Sequence, residues 1–93
     1  MDILQKDAGK NGLFYIEQNG AILAELTYSW AGTNRIIINH TGVSEALSGK
    51  GIGKELVAKS VDFARAKNIK ISPICPYAKA IFDKTPSYST VLF

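Results

Sequence analysis

The chain has 93 residues, 46% of them apolar and 20% charged, a balance that belongs to a folded, water-facing protein and excludes a disordered one. That length supplies one core, so the expectation is a single domain over residues 1–93, with no separate cofactor and substrate domains. The net charge of +3 favours an anionic ligand, but the 11 Lys and Arg are scattered rather than gathered into a stripe, so nucleic acid is not the expected partner.

Apolar runs such as Ile36-Ile37-Ile38 fall far short of the length a membrane-spanning helix needs, so no membrane is expected. The opening Met1-Asp2-Ile3-Leu4-Gln5-Lys6-Asp7 lacks the basic start and apolar centre of a secretory signal. Cys75, the only cysteine, leaves nothing to pair with in a disulfide, and with a single histidine it cannot build a zinc site of the Cys/His kind. These features predict a cytoplasmic protein without a bound metal, and a monomer is compatible with all of them.

In chain order, a first strand is expected from Asp2 to Asp7, then a turn at Asn11-Gly12. Leu13 to Glu17 and Ala21 to Tyr28 flank Gln18-Asn19-Gly20, and Asn-Gly between apolar runs signals a tight β-hairpin. Ala31-Gly32-Thr33-Asn34 turns the chain into a fourth strand, Arg35 to Thr41, rich in β-branched residues. Past a glycine-rich stretch the period changes to helical. Ile52, Leu56, Val57, Ser60, Val61, Phe63 and Ala64 make one apolar face, and Glu55 and Lys59 stand four apart as an exposed ion pair. Asn68 is the expected C-terminal stop, being tolerant of the left-handed conformation. A short strand, Ile69 to Ile74, a helix from Pro76 to Lys84 and a last strand from Tyr88 to Phe93 complete the order.

The stretch Ser48-Gly49-Lys50-Gly51-Ile52-Gly53-Lys54 joins the fourth strand to the first helix. Glycines let the backbone approach a ligand closely, and the first N–H groups of a helix have no internal acceptors, so this is a place for an anion. A phosphate loop of the G-x-x-x-x-G-K-[ST] type fails at Ser48 and Glu55, and a dinucleotide fingerprint G-x-G-x-x-G fails at Lys54 and Leu56.

The same stretch resembles the acyl-coenzyme A loop of the GNAT (GCN5-related) N-acetyltransferases, [QR]-x-x-G-x-[GA] at the start of a helix. Ser48 stands where that pattern has Arg or Gln. The likeness extends to His40-Thr41-Gly42-Val43 before the loop, Leu56-Val57 in the helix and Cys75-Pro76-Tyr77-Ala78 after the return strand, as in the small single-domain members. It implies an α/β (α+β) fold: a twisted, mostly antiparallel sheet with one parallel β-α-β crossover and two helices. It also implies acetyl-CoA as acyl donor, an amine-bearing acceptor of unidentified structure, and coenzyme contacts from Thr41, Gly42, Val43, Ser48, Gly49, Lys50, Gly51, Ile52, Gly53, Lys54 and Lys79.

Acyl transfer from a thioester to an amine needs a proton acceptor, donors for the carbonyl oxygen and a leaving thiolate. The resemblance implies a bulge in the strand before the loop, with Gly42 suited to it, and the N–H of Val43 for the carbonyl. His40 is a candidate general base, imidazole being the side chain that exchanges protons near neutrality, or else a half-buried structural residue alternating with Ile36 and Ile38. The resemblance implies that Cys75 lies near the acetyl group, as an acyl-accepting nucleophile or a wall of the site; on its own residue type it is equally an inert buried thiol. For Tyr77 the resemblance implies a proton donor to the thiolate, whereas an aromatic at a helix start is otherwise a packing residue. Two other readings stay open: a CoA or acyl-CoA binding module without turnover, and an interaction module whose glycine loop meets a partner.

Overall fold

The computed structural model describes residues 2–93. Four antiparallel strands, β1 (Leu4–Asp7), β2 (Asn11–Gln18), β3 (Ala21–Trp30) and β4 (Arg35–Val43), run in sequence order across one sheet. A 3-10 turn (Glu45–Leu47) leads to α1 (Ile52–Lys67), and β5 (Lys70–Pro73) then pairs parallel to β4. α2 (Pro76–Lys84) and a second 3-10 stretch (Pro86–Val91) follow.

Local chemistry accounts for most of these boundaries. Asn19 (φ 52°) and Gly20 (φ 81°) both take the left-handed conformation that a tight hairpin between β2 and β3 demands. Asn68 ends α1 in the same conformation (φ 56°), and the Ile69 N–H reaches back to the Ala64 carbonyl at 2.9 Å, closing the helix end. Pro76 opens α2 at a position where its missing N–H costs nothing.

Both helices cover one face of the sheet. Phe14, Ile16, Leu26, Tyr28, Ile36, Ile38 and Ile71 project from the strands into one cluster with Leu56, Val57, Val61 and Ala64 of α1 and Ala78 and Phe82 of α2. The opposite face carries no helix. Tyr15, whose side chain points there, is buried but stands outside that cluster, beneath the Lys6 ammonium 5.2 Å from its ring centre.

Three expectations from sequence are corrected. The Tyr88–Phe93 strand is absent: Pro86–Val91 winds into 3-10 turns, and only Leu92 bridges to Ile71. Arg65 takes the Ser87 carbonyl at 2.9 Å and Lys70 the Thr90 carbonyl at 2.7 Å, so backbone acceptors that an edge strand would use are already occupied. Glu55 and Lys59 close no ion pair; among the described residues only Lys79 and Asp83 do, at 3.5 Å on the surface. The bulge in β4 lies at Asn39, not Gly42, because Thr27 pairs with His40 while Tyr28 pairs with Ile38.

That bulge decides which way the end of β4 faces. Without the extra residue, His40 would follow Ile36 and Ile38 into the core. With it, Asn39 and His40 both fall on the helix-free face, where the Asn39 amide donates to the Ser29 hydroxyl at 2.7 Å. His40 is therefore exposed rather than half-buried, and Thr41 and Val43 regain the helix side.

Candidate functional site

Gly49 (φ 76°) and Gly51 (φ 73°) bring the loop into α1 with left-handed backbone, while a side chain at either would meet open space. Their requirement is conformational. Gly53 differs: it lies in the first turn of α1, and a methyl group there would overlap the Tyr77 ring of α2. Ser48 turns inward on itself, its hydroxyl donating to the Glu45 carbonyl at 3.0 Å to close the 3-10 turn.

The first backbone bond of α1 runs from the Glu55 N–H to the Gly51 carbonyl at 3.1 Å. Among the described residues the N–H groups from Gly49 to Lys54 reach no backbone acceptor. They form a consecutive run of donors at the positive end of a 16-residue helix.

β4 contributes a second set. The Ser44 N–H donates to the Leu23 carbonyl at 2.8 Å. Antiparallel ladders alternate in direction, so Gly42 and His40 also face β3, whereas the N–H groups of Thr41 and Val43 point the other way. On that side β5 has already ended: its pairing stops at Ile38 with Pro73, and the Cys75 N–H takes the Ile38 carbonyl at 3.1 Å. The two strands part there. A cleft of about 290 Å³ opens in the gap, lined by Thr41, Val43, Leu47, Ser48, Gly49, Gly51, Ile52, Gly53 and Tyr77.

Cys75 caps α2 and is buried, 6% exposed, with its sulfur 3.6 Å from the Thr41 hydroxyl. Burial pushes the thiol up. The Ala78 N–H, the Thr41 hydroxyl and the N–H groups of Tyr77 and Thr41 are oriented at the sulfur and together outweigh burial, holding it below the ordinary thiol value. The α2 amides do so as oriented dipoles, since no cap hydrogen bond is closed. Thr41 lines the cleft and Cys75 does not.

Residues 13–91 match the family described as GCN5-related N-acetyl-transferase. The chain belongs to that family. A GCN5-like protein of Staphylococcus aureus, solved in solution by NMR, is 39% identical and superposes with a TM-score of 0.72 over 99% of this chain and 87% of its own. Protein NATD1 of Xenopus tropicalis is 30% identical over 78 residues, 83% of this chain and 72% of that protein. AAC(6')-Iy, solved with the bisubstrate analogue CoA-S-monomethyl-acetylneamine, shares the fold at 13% identity, with a TM-score of 0.55 over 87% of this chain and 62% of its own.

Within this fold the residues singled out from sequence do not all meet. Thr41, Val43, Ser48, Gly49, Gly51, Ile52, Gly53 and Tyr77 share the cleft. Lys50 is exposed in the loop beside it. Lys54 lines a groove with Ile81, Lys84, Thr85 and Tyr88, on the other side of the α1 terminus, and Lys79 is held by Asp83. Gly42 and His40 belong to the helix-free face: the His40 ring lies over Gly42, with Nε2 3.0 Å from where a Cβ would stand. Leu47, buried and lining the cleft, was not singled out, although an apolar residue three positions after Ser44 is the signal a short turn leaves.

Proposed function

We propose that the protein is an acetyl-CoA-dependent N-acetyltransferase acting on a primary amine. The observation that carries this reading is the run of unpaired N–H groups from Gly49 to Lys54 opening onto the same cleft as the outward-facing Val43. The first set suits the coenzyme's pyrophosphate, and Lys50, exposed in the loop beside the cleft, adds a cation. Val43, at the parting of β4 and β5, suits the thioester carbonyl, whose oxygen gains negative charge as the amine adds. The AAC(6')-Iy complex with its coenzyme A bisubstrate analogue supports such a use of this fold.

In this reading the amine nitrogen attacks the thioester carbon. A C–N bond forms, the C–S bond breaks, and the nitrogen's surplus proton leaves to a base while the coenzyme thiolate is protonated. Tyr77, on the wall of the cleft with its hydroxyl against Gly53, is the proton donor for that last transfer. Transfer is direct. Cys75, buried behind Thr41 and outside the cleft's lining, does not carry the acetyl group in this reading.

Calorimetric titration with acetyl-CoA, followed by thiol-release assays on a panel of amines, tests the reading. Saturable binding and amine-dependent thiol release are expected, both retained in Cys75→Ala. Absence of heat and of any thermal shift at millimolar acetyl-CoA would overturn it. Binding without release on every amine would leave the coenzyme-binding module as the correct description.

A further inference from the structure

Coenzyme A extends two ways from its pyrophosphate, with pantetheine on one side and a 3′-phosphorylated adenosine on the other. The donors from Gly49 to Lys54 suit the middle of such a molecule, and the cleft of about 290 Å³ on the Thr41 side suits the pantetheine half. The nucleoside half needs a place across the α1 terminus.

A groove of about 250 Å³ lies there, lined by Lys54 of α1, Ile81 and Lys84 of α2, and Thr85 and Tyr88 just beyond. Its charge is of one sign. Lys54 and Lys84 both line it, no carboxylate does, and among the described residues neither lysine closes an ion pair. Asp83, next to Lys84 in the chain, is turned to Lys79 instead, at 3.5 Å. Two ammonium groups brought to one groove repel each other until an anion stands between them.

The rest of the groove suits a flat base. Thr85 closes α2 by donating its hydroxyl to the Ile81 carbonyl at 2.8 Å, and the Tyr88 N–H then takes the Thr85 carbonyl at 2.9 Å. That turn holds the Tyr88 ring against α2, tilted on Phe82 with centres 5.4 Å apart, so the half-buried phenol is a fixed wall. The 3-10 winding of Pro86–Val91, where a strand was expected, is what puts an aromatic ring beside the two lysines.

We infer that this groove receives the 3′-phosphorylated adenosine of the donor: Lys54 and Lys84 hold the 3′-phosphate, and the base lies against Tyr88 and Ile81. Lys54 then serves twice, its backbone N–H toward the pyrophosphate and its ammonium toward the 3′-phosphate. The inference rests on the acyl-donor reading above and adds a selectivity to it. A donor without the 3′-phosphate, such as dephospho-coenzyme A, leaves both ammonium groups without their anion.

Calorimetric titration of the full chain with coenzyme A and, separately, with dephospho-coenzyme A tests the groove. Coenzyme A is expected to bind about tenfold more tightly, the difference being charge-assisted contacts to one phosphate. In Lys84→Gln that preference should shrink about fivefold, through weaker binding of coenzyme A. Lys59→Gln removes the same charge from a groove facing β1 and should keep the parent preference. Equal affinities in the parent would overturn the inference, as would a preference that survives Lys84→Gln. An equal fall in Lys59→Gln would also overturn it, by assigning the preference to net charge. NMR titration with adenosine 3′,5′-bisphosphate should perturb Lys84, Thr85 and Tyr88, and perturbations confined to other residues would place the nucleoside elsewhere. Failure of the parent to bind either coenzyme would strike the donor reading, whereas binding both without preference would strike only the groove.

Discussion

The Tyr77 ring of α2 lies across Gly53 of α1, leaving no room for a methyl group between them. Two helices that meet through a glycine and the side of a phenol form a wall that depends on both. Tyr77 is 44% exposed, so it can swing away at little cost to the fold. Gly53→Ala should therefore leave the melting temperature unchanged or raise it, because alanine is the better helix former by about 1 kcal/mol. The displaced ring opens the cleft, and acetyl-CoA affinity should fall about tenfold. Adding Tyr77→Ala should cause little further loss, and calorimetry on the double-mutant cycle reads the coupling. Additive losses would mean that the two residues act separately.

Gly51→Ala should behave in the opposite way. Its Cβ meets open space, but φ of 73° is left-handed, which costs an L-residue about 1–2 kcal/mol. A fall in melting temperature of about 4–8 °C per kcal/mol is expected for a domain of this size. An unchanged melting temperature would show that the loop relaxes to accept the side chain.

Much of this was legible because it is local. Asn19-Gly20 and Asn68 each specify a backbone conformation by their own chemistry, and the alternate glycines locate the loop whatever surrounds it. The bulge at Asn39 was not legible. Nothing in Ile38-Asn39-His40 distinguishes a regular strand from one with an inserted residue; the register comes from Thr27 and Tyr28 on the neighbouring strand. Spacing alone aligns His40 with Ile36 and Ile38, the basis of its half-buried alternative, and the pairing of Thr27 with His40 is what removes it from that face. The end of the chain failed for a related reason: Tyr88 to Phe93 has strand composition, but Arg65 and Lys70, distant in sequence, take the carbonyls of Ser87 just before it and Thr90 within it.

Cys75 offers a pH-dependent readout. The polar groups aimed at its sulfur favour the thiolate, so its pKa in the fold lies below that of the unfolded chain. The linked stabilisation is fully present above the unfolded value, about 8.5, and is lost as pH falls through the lower folded value. Alkylation of Cys75 by iodoacetamide should be slow, given its burial, but its rate should rise with pH at a midpoint below that of a free thiol. Thr41→Val removes the hydroxyl 3.6 Å from the sulfur and should move that midpoint upward. A midpoint at or above the free-thiol value in the parent protein would contradict the assignment.

At the far end of the sheet, the Asp7 carboxylate holds β1 to β3. One oxygen accepts from the Tyr28 hydroxyl at 2.7 Å and from the Trp30 indole at 2.9 Å, and the other from the Gly9 N–H at 2.8 Å. The Gln5 amide donates to the same Tyr28 hydroxyl at 2.9 Å, and the phenol reaches all of this across Gly12, where a Cβ would block it. The Tyr28 and Trp30 donors hold Asp7 below the usual carboxylate range, and burial, with Asp7 beside it, pushes Tyr28 up to about 12. A depressed carboxylate stabilises the fold fully above its unfolded value, about 3.9, and that contribution disappears as pH falls through the folded value. Asp7→Asn places an amide N–H where only acceptors fit, and because the carboxylate is exposed the expected loss at pH 7 is about 1–2 kcal/mol. Urea unfolding from pH 7 down to pH 2 should show the parent and variant curves converging below about pH 4, since protonation removes from the parent what the substitution removes from the variant. A constant difference across that range would mean that Asp7 acts through packing rather than charge.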